Sequence, residues 1–386
     1  MYKLGYESRL EYKTAQGASL NLASVDAPFN ALSIYGKSTQ NGTPTPDAPI
    51  PIDSNEGDLR ITTCGKNLFD PALLEDDSLF DKSYTSSGFW ILKVLVPNED
   101  ITISVEKTSN ANNSFLAVSA DGNNSASKYW FIHGTMVTDS TPLYRTLSKD
   151  SHTGSIYLYL GATKDRVDAI LPNVGYIQIE VGSTVSDYEP YIAKTITISI
   201  PNGLPGIPVS SGGNYTDSDS RQWVCDEIDF KRGKYIQRVW RKMFDGSESW
   251  GLYNTSLYLG FNISILPEAM QAREGYCSAM RVHGISSSYR DVICFGANNT
   301  TIYLPLNSFR DDTLDDSGLS NWKAYLQENP MTVMTYLTNP IERELAPEEV
   351  AAYKALHTYS PSTVVMNDAG VWMKVGYKAK KQKGVW

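Results

Sequence analysis

The carboxylates Glu227 and Asp229 stand two apart in Cys225-Asp226-Glu227-Ile228-Asp229-Phe230, so on a strand both project from one face. Glycoside hydrolysis needs two carboxyl groups, about 5 Å apart for retention or about 6.5–9.5 Å for inversion, and neighbours at i and i+2 can meet that distance. Such pairs are also common on the wet faces of strands, and Lys231 and Arg232 follow as ready ion-pair partners. The spacing therefore assigns no catalytic role. The acidic run Asp311-Asp312-Thr313-Leu314-Asp315-Asp316 offers clustered oxygens of the kind calcium prefers, but it lacks the alternation and terminal Glu of an EF-hand loop. It reads as the approach to a helix capped by Asp316 or Ser317. No metal or cofactor is expected.

Cys64, Cys225, Cys277 and Cys294 show no CxxC spacing, and His133, His152, His283 and His357 are scattered. The thiols are expected as small buried apolar residues. No HExxH, GxSxG, GxxxxGK or GxGxxG occurs, so the chain carries none of the motifs of the common hydrolases and nucleotide enzymes.

Aromatic side chains are the richer signal, with 24 Tyr, 8 Trp and 11 Phe in 386 residues. Sugars bind by laying their apolar faces on aromatic rings while amides and carboxylates fix the hydroxyls. Tyr157 and Tyr159 alternate with Ile156, Leu158 and Leu160, so both rings should leave one face about 7 Å apart, opposite an aliphatic stripe. Trp90 and Trp130 lie in the same block. These four are candidate glycan contacts, core packing being the other reading. A second group, Trp240, Trp250 and Tyr253, flanks the turn Asp245-Gly246-Ser247. Trp240, Trp250 and Tyr253 could line a groove or seal a trimer interface between subunits.

The elements that must position these residues are strands. Ile101-Thr102-Ile103-Ser104-Val105, Ile177 to Val181 and Ile196 to Ile200 all alternate with period two, one face dry and one wet. Turn-forming separators such as Asp121-Gly122-Asn123-Asn124 divide them. The pattern predicts an all-β chain of two β-sandwich, jelly-roll-like modules with short helices near 318–328 and 347–356. Composition divides the chain into a β segment with a Pro-rich strap (1–60), a strand-rich block (61–193), a Gly/Pro-rich connector (194–220) and a second β-rich module (221–386).

Charge and hydropathy exclude other classes. A formal net charge of −9 supplies no basic footprint for nucleic acid. The longest apolar stretch, Phe89 to Val96, is broken by Lys93 and is far below the ~20 residues that cross a bilayer. The opening Met1 to Arg9 has no apolar run and predicts no export signal.

Four segments resemble minor tail and baseplate proteins of phages and prophages of Gram-positive bacteria. They are Ser33 to Ile52 with its repeated prolines; Gly65-Lys66-Asn67-Leu68-Phe69-Asp70 with the distant Asp187-Tyr188-Glu189-Pro190-Tyr191; Leu204 to Asp217 running into Trp223 to Asp229; and Pro340 to Tyr359 followed by Thr363 to Gly370. The resemblance spans most of the chain, although the long tail-hub or endopeptidase region usual upstream is missing. It implies that the Lys-Asn-Leu-Phe to Asp-Tyr-Glu-Pro-Tyr block is a carbohydrate-binding-module-like jelly roll, with no fixed catalytic residues. The implied role is structural and adhesive: a non-enzymatic virion component assembled with other tail proteins as a trimer or hexamer, touching host cell-wall polysaccharide. A connector without ligand, or a wall-polysaccharide hydrolase, are the alternatives.

Overall fold

The structure is a computed structural model that describes residues 8–15, 17–21, 31–82, 89–107, 115–123, 127–133, 143–161, 163–254, 259–264, 274–283, 292–295, 301–305, 316–356, 358–359 and 362–380. Strands dominate and the fold is all-β. The chain makes two compact units, each from separated stretches: 1–32, 59–198 and 347–386 in the first, 33–58 and 199–346 in the second. The contiguous modules expected from composition are cut differently. Block 61–193 stays whole inside the first unit, but the Pro-rich strap belongs with the second and the C-terminal residues with the first. Strand pairing explains the regrouping. Gly57–Cys64 pairs with Ser362–Asn367, placing Cys64 opposite Val364, and no linker composition announces so distant a partner.

Eight strands of the first unit form a sandwich: β1 (Phe80–Asp81), β2 (Phe89–Leu95), β3 (Ile101–Lys107), β4 (Phe115–Ser119), β5 (Tyr129–His133), β6 (Leu143–Leu147), β7 (Ser155–Gly161) and β8 (Val174–Val181). One sheet has the order β1-β2-β7-β4-β5 and the other β6-β3-β8. Most successive strands change sheet, the connectivity of a jelly roll. The alternation dictates the core. Trp90, Leu92 and Val94 of β2, Leu116 and Val118 of β4 and Ile156, Leu158 and Leu160 of β7 meet Ile101, Ile103 and Val105 of β3 and Ile177 and Ile179 of β8. Full burial of each such side chain contributes about 1.5–3 kcal/mol.

In the second unit, β9 (Glu227–Asp229), β10 (Lys234–Phe244) and β11 (Met331–Glu344) pair in that order. The β10–β11 ladder breaks between Gln237 and Val239. There the amides of Arg238 and Val239 turn to the buried Asp226, whose Oδ1 accepts them at 2.6 and 2.7 Å. The Tyr235 hydroxyl donates to its Oδ2 at 2.6 Å. Helix α1 (Asp316–Glu328) docks Trp322 and Leu326 into this unit's core beside Phe244, Trp250, Phe261 and Val333. Helix α2 (Pro347–Lys354), in the first unit, opens on Pro347 with Glu348 and Glu349 in its first turn, where carboxylates oppose the helix dipole favourably. No helix among the described residues is long and apolar enough to cross a membrane.

Candidate functional site

The aromatic residues singled out from sequence do not make an open platform. Trp90 points into the sandwich core, 9% exposed and 5.4 Å from Phe80. Tyr159 does leave the opposite face of β7, yet it is fully buried. Its hydroxyl reaches the carbonyls of Asp121 and Asn123, each at 2.7 Å, and Lys128 Nζ lies 4.5 Å from its ring centroid. The polypeptide following β4 thus covers this face. Tyr157 is half-buried and packs so closely on Gly122 that a Cβ there would fall 2.6 Å from its ring. Trp130 is also half-buried, 5.2 Å from Phe89. Alternation predicts the face correctly but says nothing of a loop that folds over it. Trp250 is buried at 4% exposure, edge-on to Trp322 at 5.5 Å, and is core. Tyr253 lies on a strand, Gly251–Asn254, and its side chain falls outside the described residues.

The acidic candidates resolve differently. Glu227 is buried and ion-paired to Arg238 at 2.9 Å, and Asp229 accepts the Arg232 amide at 3.0 Å. The Arg232 guanidinium goes instead to Glu342 at 2.7 Å. Residues 311–315 of the acidic run lie outside the described residues. Among the described residues no group of three or more His, Cys, Asp or Glu could hold a metal ion. All four cysteines are buried thiols, and burial pushes Cys64 up to about 12 and Cys277 up to about 11.

The open aromatic surface lies on the other sheet. Directly opposed residues of antiparallel strands share a face. Across β6, β3 and β8 the register aligns Tyr144, Ser104 and Gln178 in one row and Thr146, Thr102 and Glu180 in the next. Glu106 stands opposite Tyr176 in a third. Tyr144 is 58% exposed. Tyr188, 45% exposed, stacks on Tyr176 at 4.6 Å with a 17° interplanar angle. From the sheet lattice, Tyr144 and Tyr176 stand roughly 12 Å apart, the span of a disaccharide. Burial raises the Tyr176 phenol, Glu106 raises it further, and the Ser104 hydroxyl opposes them. Ser104 is itself fully buried, and its Oγ makes no hydrogen bond of normal geometry.

The rest of this face is held by the irregular segment that covers it. Glu180 Oε1 accepts the Ser186 amide at 3.0 Å and the Gln178 amide at 3.1 Å, and Ser186 Oγ donates to Oε2. Gln178 Oε1 accepts the Glu189 amide at 2.8 Å. Both side chains, which alternation assigns to solvent, are therefore buried anchors for residues 186–189. This brings the two distant sequence signatures together. Lys66 pairs with Glu189 at 2.9 Å and donates to the Asp187 carbonyl. Asn67 spends its whole side chain on four bonds. Its Nδ2 donates to the carbonyls of Glu189 (3.1 Å) and Ile177 (3.3 Å), and its Oδ1 accepts the amides of Phe69 (3.0 Å) and Ile179 (3.1 Å). With Leu68 N–H donating to the Ile179 carbonyl at 2.7 Å, this segment runs alongside β8 and fixes Tyr188 in place.

Comparison with known proteins returned no matching family model, no similar curated protein and no similar solved structure. Function is therefore argued from the residues. Tyr144, Tyr176 and Tyr188 were missed as a site in the sequence because their three stretches are far apart. The alternation that places Tyr176, Gln178 and Glu180 on one face was the available signal.

Proposed function

We propose that this protein is a structural component of a phage tail tip or baseplate whose sandwich unit contributes to recognition of host cell-wall glycan. One observation carries the adhesive part: two exposed tyrosine surfaces, Tyr144 and the Tyr176–Tyr188 stack, stand roughly a disaccharide apart on one sheet face. Rigid aromatic rings favour the apolar faces of sugar rings, and the buried Gln178 and Glu180 anchors hold Tyr188 in place, a preorganisation that lowers the ordering cost of binding. The clasp of Lys66-Asn67 with Asp187-Glu189 supports the resemblance to tail proteins, since the two segments that carry it form one structural element. A shallow open face binds weakly as a single copy. Copies arranged around a tail axis, a trimer or hexamer, would raise avidity by ~10²–10⁴. Nothing in this reading needs bond cleavage.

The test is binding of the purified full chain to host wall polysaccharide, with Tyr144→Ala/Tyr188→Ala as the variant. Both rings are exposed, so melting should change little, while affinity should fall at least tenfold, about 1.4 kcal/mol. Unchanged affinity in the variant, or no binding by the parent protein, would remove the proposal.

A further inference from the structure

The second unit holds a cleft of about 620 Å³ along β10, a size suited to one or two sugar rings. Its chemistry differs from that of the tyrosine face. In a chain of net charge −9, the stretch Lys231 to Lys242 carries Lys231, Arg232, Lys234, Arg238, Arg241 and Lys242 and no acidic residue. Most of these cations are neutralised locally. Arg241 pairs with Glu56, Lys242 with Glu248 at 3.5 Å, and Arg238 with Glu227. Asp226, which lines the cleft, is saturated by its three donors.

One lining cation is left over. Arg343 packs its guanidinium on the Tyr235 ring, 4.3 Å from the centroid, and no carboxylate pairs with it among the described residues. Stacking engages the flat face of a guanidinium and leaves its N–H edge free for a planar or tetrahedral anion. Beside it, Gln237 uses its amide nitrogen on the Val239 carbonyl at 3.1 Å, leaving its Oε1 unengaged among the described residues. Met243, 59% exposed, adds an apolar contact to the lining. A held guanidinium, a hydroxyl acceptor and an apolar wall together match one ligand class.

We infer that this cleft binds an acidic sugar unit, its carboxylate or phosphate held by Arg343 and a hydroxyl by Gln237. The inference rests on the glycan reading only for its ligand class, and its test is separate. The full-length protein is titrated calorimetrically with an oligouronate, a sugar-phosphate oligomer and a neutral oligosaccharide of equal length. At least one acidic ligand should bind more tightly than the neutral one, and more weakly as salt rises. Uronate binding alone identifies a carboxylate ligand, and phosphate binding alone a phosphorylated one. Arg343→Gln should weaken that binding about tenfold or more, and Gln237→Ala by a smaller factor. Lys93→Gln, an exposed lysine of the other unit, should leave it unchanged. No preference for either acidic ligand, or full affinity in both Arg343→Gln and Gln237→Ala, overturns the cleft. If the parent binds the oligouronate but no neutral wall glycan, the tyrosine face falls and the cleft stands.

Discussion

Replacing Asn67 by alanine should cost far more than the loss of one surface amide. The side chain is 2% exposed and makes four hydrogen bonds, the full capacity of an asparagine. Truncation strands two amides, Phe69 and Ile179, and two carbonyls, Ile177 and Glu189. A buried unsatisfied backbone group costs about 1–3 kcal/mol. Water entering the vacated space will recover part of this, so about 4 kcal/mol is the expected loss. Urea unfolding should show a lower midpoint with an unchanged slope, because the surface exposed on unfolding is the same. Amide hydrogen exchange gives the local check: protection at Phe69 and Ile179 should fall together, since both donate to one oxygen. The neighbouring Lys66→Ala removes a partly exposed ion pair and should cost under about 1 kcal/mol. A loss below about 1 kcal/mol for Asn67→Ala, with both amides still protected, would refute the idea that this residue stands in for a missing piece of strand.

Two further expectations follow from the same kind of accounting. Tyr159→Phe keeps the ring but removes the single O–H that the Asp121 and Asn123 carbonyls share. It should lower stability by about 1–2 kcal/mol while leaving glycan affinity intact; an undiminished melting temperature would reopen that face as a binding surface. Burial pushes the Asp226 carboxyl up from 3.8 to about 6 against the pull of its three donors. A raised folded-state pKa stabilises fully below the unfolded value and is lost as pH rises through the folded one, so this group should withdraw about 2 kcal/mol between pH 4 and 7. Asp226→Asn keeps an oxygen for both backbone amides and should flatten that part of the stability profile; parallel urea midpoints for parent and variant from pH 4 to 7 would show the shift to be wrong.

Period-two alternation was enough to place the sandwich strands and their dry faces, because burial on one side of a pleat is a local property. Ile101, Ile103, Val105, Ile156, Leu158 and Leu160 all lie where that pattern puts them. The helix at 316–328 was visible through Leu319, Trp322, Tyr325 and Leu326, and the later one through Pro347 and its two glutamates. What lies on the wet faces was not legible. Tyr159 and Gln178 both sit on nominally solvent-facing positions, and each is buried by a segment whose path depends on a few distant hydrogen bonds. The tyrosine site was hidden for the same reason. Tyr188 belongs to no alternating run and reaches the face only because Gln178 and Glu180 hold residues 186–189 there. Unit boundaries escaped composition because they are set by pairings such as Gly57–Cys64 with Ser362–Asn367.

That last pairing bears on how the chain acquires its shape during synthesis. Strand Gly57–Cys64 leaves the ribosome before either of its sheet neighbours; Ala193–Ile200 covers one edge first, and the segment that closes the other, Ser362–Asn367, is made some three hundred residues after the strand itself. At ~5–20 residues per second the open edge persists for tens of seconds, long compared with strand pairing itself. The nascent protein therefore passes through an interval in which a sticky border awaits its own distal end, and crowding by sister chains or help from a holding chaperone would act in that window.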